Sequence, residues 1–267
     1  MEKVKIVVCV KQVPDTNEVK IDPVKGTLIR EGVPAILNPD DANALEEALK
    51  LKDKHEDVKV TVITMGIPSS SYMLRECLAM GADEAILVTD RAFAGADTWA
   101  TSNALASALR KVGDYDLIFA GRQAIDGDTA QVGPQIAERL DIPQVTYAMG
   151  FEYNKEDKTI IVDRQLEDGY ERLQVKSMPA LITAISELNK PRYMTVGGIV
   201  DAYKKDIKIF TIKDLDVTPD EVGLNASPTS VFRSFAPDKK SQGVILEGTA
   251  KEKVEKLVSA LQSKHYI

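Results

Sequence analysis

Arg122, Asp126 and Asp128 lie close together in the stretch DLIFAGRQAIDGDTAQVGPQIAERL, residues 116–140, with Gly121 just before Arg122 and Gly127 between the two carboxylates. One cation, two carboxylates and an unencumbered backbone suit the phosphate and sugar of a nucleotide. Main-chain N–H groups and a helix start can meet the phosphate, and a carboxylate can reach ribose hydroxyls. The flanks fit that use. Residues 117–120 are a short apolar run ended by Gly121, which reads as a buried parallel strand. Val132, Ile136, Ala137 and Leu140 recur at helical spacing. The segment between is longer than the ~2–6 residues of an ordinary strand-to-helix turn. Neither G-x-G-x-x-G nor G-x-x-x-x-G-K-[ST] is present. Asp126 and Asp128 would repel a pyrophosphate if both pointed at it, so they are expected to cap the following helix or to reach ribose. Arg122 is then the nearby cation. On residue types alone, a nucleotide loop and a long capped turn both remain open.

Other chemistry-bearing residues also admit two readings. The helix start Asp97-Thr98-Trp99-Ala100-Thr101 carries two hydroxyls toward the same region, or is an ordinary N-cap on a core helix. Trp99 either packs or stacks on a cofactor. Asn38 is first a helix cap, although a cap at a strand-end crevice can touch a ribose. Leu188, in the polar loop 187–193, is an anchor folded inward or an exposed plug for a partner. Glu167-Asp168 beside Arg164 reads as a hairpin turn with surface ion pairs. His55 and His265 are the only histidines, which gives a histidine metal site or a Ser-His-Asp triad little to be built from. Cys9 and Cys77 lack C-x-x-C spacing and lie in apolar runs, as buried thiols in a reducing compartment do. No paired acid and base, and no nucleophile beside its base, is evident.

The elements that must position these residues follow from composition and pattern. At 267 residues, 44% hydrophobic and 28% charged, the chain is expected to be a soluble globular protein of one large domain, with or without an appendage. A net charge of −7 argues against nucleic acid as a partner. No apolar run approaches the ~20 residues of a membrane span. Residues 1–11 alternate like a strand rather than a signal peptide, so a cytoplasmic location is expected.

The first half alternates strand and helix. Residues 3–10 form a strand and 20–30 a small hairpin. A helix opens at Asn38-Pro39-Asp40-Asp41 and buries Ala42, Leu45, Ala48 and Leu49. Strands at 58–64 and 85–89 alternate with helices at 70–80 and 97–111. This is the pattern of an α/β fold with a doubly wound, mostly parallel sheet. Ligands in such sheets bind beyond the C-terminal strand ends, here Cys9–Lys11, Met65–Gly66, Thr89–Asp90 and Gly121–Arg122.

After Pro143 an antiparallel extension is expected at 145–153, 159–165 and 173–176, then a buried strand at 179–184. From 194 a short helix, a strand at 207–212 and a Pro/Ser-rich piece at 218–237 show no obvious core. Residues 247–263 form an amphipathic helix with Val254, Leu257, Val258 and Leu261 on one face. The expected division is a nucleotide-binding domain at 1–190 and a C-terminal arm at 191–267, ending in that helix and packing on a partner subunit.

Several of these motifs together resemble the beta subunit of electron transfer flavoproteins. They are KIVVCVKQVPD at the start, NPDDANALEEAL, GRQAIDGDT from Gly121, and LNKPRY from Leu188. The hairpin pattern Val162-Asp-Arg164, Glu167-Asp168, Glu171 and PALITA is also similar, with the spacing from Leu173 to Pro179 one residue longer. The resemblance implies a heterodimer whose alpha subunit holds an FAD in a mobile domain, while this chain binds an adenine nucleotide. The matching contacts are Cys9; Asn38, Pro39, Asp40 and Asp41; Met65; and along the loop Gly121, Arg122, Gln123, Ala124, Ile125, Asp126, Gly127, Asp128, Thr129, Gln131 and Val132. It also implies that Leu188 belongs to an exposed loop that recognises acyl-CoA dehydrogenases.

Within the family, housekeeping members bind AMP here and electron-bifurcating members bind a second FAD. That FAD takes electrons from NADH and sends them to ferredoxin or flavodoxin and, through the alpha-subunit FAD, to the dehydrogenase. Thr129-Ala-Gln-Val132-Gly-Pro and Gly95-Ala-Asp97-Thr98 before Ala100-Thr101 look like the bifurcating group. Thr16 and Asp40 stand where housekeeping members carry aromatic residues. FAD, with Thr98 and Thr101 beside it, is therefore expected. AMP in a simple electron shuttle is the alternative, and a nucleotide-sensing or ATP-hydrolysing α/β protein a lower one. No catalytic acid, base or metal ligand is expected in this chain.

Overall fold

The strand VKIVVC, Val4–Cys9 (β1), is buried at all but one position. A β-branched run without polar alternation needs cover on both faces, and β1 has it. The computed structural model describes residues 3–15, 34–232 and 243–267. The hairpin expected at 20–30 and Thr16 lie outside them. After β1 come β2 (Gln12–Pro14) and β3 (Ala35–Leu37), paired antiparallel with each other apart from the main sheet. Then follow α1 (Pro39–Lys54), β4 (Val58–Met65), α2 (Ser71–Met80), β5 (Glu84–Val88), α3 (Thr98–Val112), β6 (Leu117–Gly121) and α4 (Val132–Leu140). The chain continues through β7 (Gln144–Asn154), β8 (Thr159–Leu166), β9 (Gly169–Val175), β10 (Ala180–Ala184), α5 (Val196–Ala202), β11 (Ile207–Phe210), α6 (Gly223–Ala226) and α7 (Ala250–Ser263).

Nine strands form one sheet in the order β11-β5-β4-β1-β6-β10-β7-β8-β9. From β11 to β7 every neighbour is parallel, and β7, β8 and β9 are antiparallel. The fold is therefore the expected doubly wound α/β sheet with an antiparallel extension. Alternate residues of the central strands face opposite cores. Ile6, Val8, Val60 and Phe119 pack under α1 and α2, with Leu45, Leu49 and Leu74. Val7, Ile63, Ile86 and Ile118 pack under α3 and α4, with Leu105, Leu109 and Ile136. Both helix layers start from strand C-terminal ends, which places the connecting loops at one end of the sheet. In the extension, β9 begins at Gly169, earlier than the expected 173. The turn is Glu167-Asp168, but Arg164 pairs with Glu171 at 3.1 Å rather than with the turn acids.

Contacts divide the chain into two units, whose described residues are 3–15 with 34–232, and 243–267. In the first, α5 packs on α2 and β11 adds to β5 at the sheet edge. Residues 191–232, assigned from sequence to the arm, are thus joined to the nucleotide-binding part. The second unit contains α7, opened by a capping box between Thr249 and Glu252, with Val254, Leu257 and Val258 exposed. Among the described residues no helix is long and apolar enough to cross a membrane.

Candidate functional site

A cavity of about 660 Å³ opens at the C-terminal ends of β1, β4 and β6. Cys9, Val10 and Lys11, Met65, and Ala120 and Gly121 line it from the strands. The start of α3 forms one wall, and the loop after β6 with the first turn of α4 forms the other. The Thr89–Asp90 strand end does not reach it, contrary to expectation. Asp90 instead accepts hydrogen bonds from the N–H groups of Ala92 (3.0 Å) and Ile212 (3.3 Å), folding the chain into a short turn. Phe93, Gly95 and Ala96 then come back to the cavity.

Helix α1 holds the loop after β6. Asn38 is its N-cap residue, yet its side chain makes no cap. Its amide donates to the Gln123 carbonyl at 2.8 Å, and its carbonyl accepts from the Ile125 N–H at 3.1 Å. Asp41 accepts from the N–H of Lys11 at 2.8 Å and from that of Gly121 at 2.9 Å. Burial pushes the Asp41 carboxyl up to about 7, against the pull of the Asn38 side chain and of the Gly121 and Lys11 N–H groups. Position 121 must be glycine, because a Cβ there would lie 2.3 Å from Asp41 Oδ1. Asp40 pairs with Arg122 at 3.3 Å, and burial raises its carboxyl although Arg122 opposes the shift. The Arg122 guanidinium also lies over the Tyr147 ring, 5.7 Å from its centre.

Neither Asp126 nor Asp128 caps α4, which corrects the reading from sequence. Asp126 pairs with the Lys11 ammonium at 2.6 Å, and Asp128 accepts from the Gln123 amide at 2.8 Å. The first bond ties the loop to the end of β1, and the second braces the loop across itself. Asp128 and Ala130 adopt left-handed φ of 52° and 53°. The N-cap of α4 is Gln131, with no side-chain cap hydrogen bond. Gln131, Val132 and Gly133 line the cavity, so the positive end of α4 faces it without a protein carboxylate in place.

On the other wall Asp97 does cap α3, accepting from the Ala100 N–H at 3.0 Å. Its second oxygen accepts from the N–H of Thr229 at 3.1 Å and from its hydroxyl at 2.8 Å. The Thr98 hydroxyl donates to the Gln131 side-chain carbonyl at 3.0 Å, joining the walls. Trp99 points away from the lining and is 53% exposed, with Arg139 over its ring. Burial pushes the Cys9 thiol up to about 12, so it stays protonated and packs as a small apolar group. No His/Cys/Asp/Glu cluster among the described residues could hold a metal.

Of the residues singled out from sequence, Cys9, Asp41, Met65, Thr98, Thr101, Gly121, Arg122, Gln123, Ala124, Gly127, Thr129, Gln131 and Val132 line the cavity. Asn38, Pro39, Asp40, Ile125, Asp126 and Asp128 do not, and several of them shape the loop from behind. Lys11, expected there as part of the Cys9–Lys11 strand end, lines it too, and so do Phe93 and Thr229, which were not singled out. Thr229 carries no sequence signal, because it arrives from a segment more than a hundred residues away. Leu188 is not an exposed plug in this chain. It is 9% exposed and packed in the core under α1, because the turn Ser186–Leu188 rolls it inward. The most exposed apolar side chains in the residues that follow, through α5, are Tyr193 and Val196, at 89% and 82%.

The electron transfer flavoprotein domain matches residues 25–215 of this chain. Over 263 residues the chain is 59% identical to electron transfer flavoprotein subunit beta of Thermoanaerobacterium thermosaccharolyticum, covering 98% of this chain and 99% of that one. The chain belongs to the electron transfer flavoprotein beta-subunit family. Another relative is the caffeyl-CoA reductase-Etf complex subunit CarD of Acetobacterium woodii, 61% identical over 264 residues and covering 98% and 100% of the two chains. Acryloyl-CoA reductase electron transfer subunit gamma of Anaerotignum propionicum is 51% identical over 271 residues, covering 98% and 100%. Membership of the beta-subunit family implies an alpha subunit as partner and a flavin or related nucleotide as ligand. The cavity suits such a ligand. The uncapped start of α4 and Arg122 can receive phosphate, and the small side chains beside α3 leave room for a ring system.

Proposed function

We propose that this beta subunit binds FAD in the cavity, with NADH as the electron donor. Electrons then pass to ferredoxin or flavodoxin and, through the FAD of the alpha subunit, to an acyl-CoA dehydrogenase. The observation that carries this reading is the reach of the cavity. Its volume of about 660 Å³ extends past the loop after β6 to Gly95, Ala96, Thr98 and Thr101 at the start of α3, well within the range of sites for large organic ligands. Small side chains there suit a flat ring beyond the point where a mononucleotide would end. The bound flavin supplies the redox chemistry. This chain's residues hold its phosphates at the start of α4, fix the loop through Asn38 and Asp41, and close the strand-end side with Cys9 and Met65. The names of relatives from caffeyl-CoA and acryloyl-CoA reductase systems support a CoA-thioester dehydrogenase as the acceptor. The exposed Tyr193 and Val196 offer that enzyme a contact surface, and α7 offers its apolar face to the alpha subunit.

The test is the nucleotide content of the complex. The chain is co-expressed with its alpha subunit, given excess FAD, desalted and denatured, and the released nucleotides are identified. Two FAD and no AMP per heterodimer are expected. One FAD with one AMP would overturn the reading and leave a simple electron shuttle.

A further inference from the structure

We infer that Asp41 is a positioning residue: its carboxylate fixes the spacing of the β1 and β6 strand ends and thereby sets how tightly the cavity retains its nucleotide. This rests on the nucleotide reading above. Strands β1 and β6 pair in parallel up to Cys9 and Ala120. The N–H groups of Lys11 and Gly121 lie just beyond, where the ladder between the two strands has ended. The two oxygens of Asp41 take one each, at 2.8 and 2.9 Å, so a single side chain from α1 splices the two strand ends. Lys11, Gly121 and Asp41 all line the cavity, and any change in this splice moves the surface a ligand meets.

Only an ionised carboxylate of this length can do it. It has two acceptor oxygens and no donor, whereas an asparagine would turn an NH2 group toward one of the two N–H groups. The approach is also closed to adjustment from the other side, since the backbone of Asp40 and Asp41 lies against Gly121 where a Cβ would go. The ionisable groups facing Asp41 are Asp40 on α1 and the Cys9 and Cys77 thiols; the nearest cations along the cavity wall are Lys11 and Arg122. The two cations are turned to other partners, Lys11 to Asp126 and Arg122 to Asp40. With the carboxyl raised to about 7 by burial, neutral solution straddles its titration. Protonation puts an O–H where an acceptor is needed and frees one N–H.

The experiment uses the complex with the alpha subunit and two readouts. The first is loss of the beta-site FAD, measured as nucleotide retained after timed desalting between about pH 6 and about pH 8, the range around the raised carboxyl. The second is hydrogen-exchange protection of the Lys11 and Gly121 amides with the beta site emptied of nucleotide. In the wild type, FAD loss should quicken and both amides lose protection as pH falls. In Asp41→Asn, loss should be at least about tenfold faster, the worth of one charge-assisted hydrogen bond, and independent of pH. Asp41→Glu should not restore retention. Unchanged protection in Asp41→Asn, or a wild-type pH profile in that variant, would overturn the inference. If Asp41→Asn does not fold, the wild-type series decides, and flat release with flat protection overturns it. If the beta site takes no FAD, the cofactor reading fails while amide protection still decides whether Asp41 is the splice.

Discussion

The Arg139 guanidinium lies over the Trp99 ring, 4.3 Å from its centre, and donates to the Trp99 carbonyl at 3.1 Å. It also donates to Ser102 at 3.0 Å and Asn103 at 3.1 Å, so one side chain of α4 grips the first turns of α3. Arg139→Ala should cost about 1–3 kcal/mol, as loss of a cation–π contact and several charge-assisted bonds does. Arg139→Lys should recover little, because lysine lacks the planar fork. Trp99 is the only tryptophan, so its emission should shift to the red in both variants while urea midpoints report the stability.

Gly121→Ala should be among the most damaging single-methyl changes in the chain. The new Cβ would lie 2.3 Å from Asp41 Oδ1 and 2.7 Å from the Asp41 nitrogen, atoms that cannot retreat without moving α1. A loss of about 3 kcal/mol is expected, the upper end of overpacking costs, together with loss of bound nucleotide. Retained stability with normal nucleotide content would show that α1 shifts freely, contrary to this packing.

Leu188 and Val196 should separate stability from recognition. Leu188→Ala removes a core side chain and should cost about 2–4 kcal/mol. Val196→Asp, at a position 82% exposed, should leave the melting midpoint nearly unchanged, within about 0.5 kcal/mol, while raising KM for the dehydrogenase acceptor. The reverse pattern would place the contact at Leu188 after all.

The pH dependence of global stability should oppose that of nucleotide retention. Burial raises the Asp41 carboxyl from its ordinary 3.8 in the unfolded chain to about 7 in the folded one. Between these values the folded state holds a proton that the unfolded state has released, so this group's contribution to stability falls as pH rises through that window. Asp41→Asn should flatten part of the slope in urea midpoints. Asp40 and Glu76, also raised by burial, leave a residual slope of the same sign. A slope unchanged by the substitution would mean that Asp41 titrates alike in both states.

Most of the frame was legible because it is local. The glycine-bounded run 117–120, the helical spacing from Val132 and the Asn38-Pro39 helix start each encode their element within a few residues. The site was legible only to the depth of the strand ends. Asn38 has the residue type of a cap, yet its amide is used by Gln123 and Ile125, and no local rule weighs a cap against partners more than eighty residues away. Asp126 fails as a cap for the same reason, since Lys11, far away in the chain, takes it, whereas Asp128 is held within its own loop by Gln123. Leu188 stands among polar neighbours, but the turn at Ser186–Leu188 reverses its direction, which composition does not record.

The sheet order has a consequence for how the protein is made. β10 lies between β6 and β7, although it follows both in the chain. During synthesis β6 therefore has an unpaired flank, and β7 forms its hairpin with β8, before the strand that unites them has left the ribosome. The Arg122 N–H, which anchors the ligand loop to the Ala184 carbonyl at 2.8 Å, finds its acceptor only at that late stage. A nascent chain ending before Ala184 exposes an open sheet edge suited to chaperones or to aggregation. Capacity for the ligand should thus arise late in translation, as β10 is threaded into the middle of the sheet.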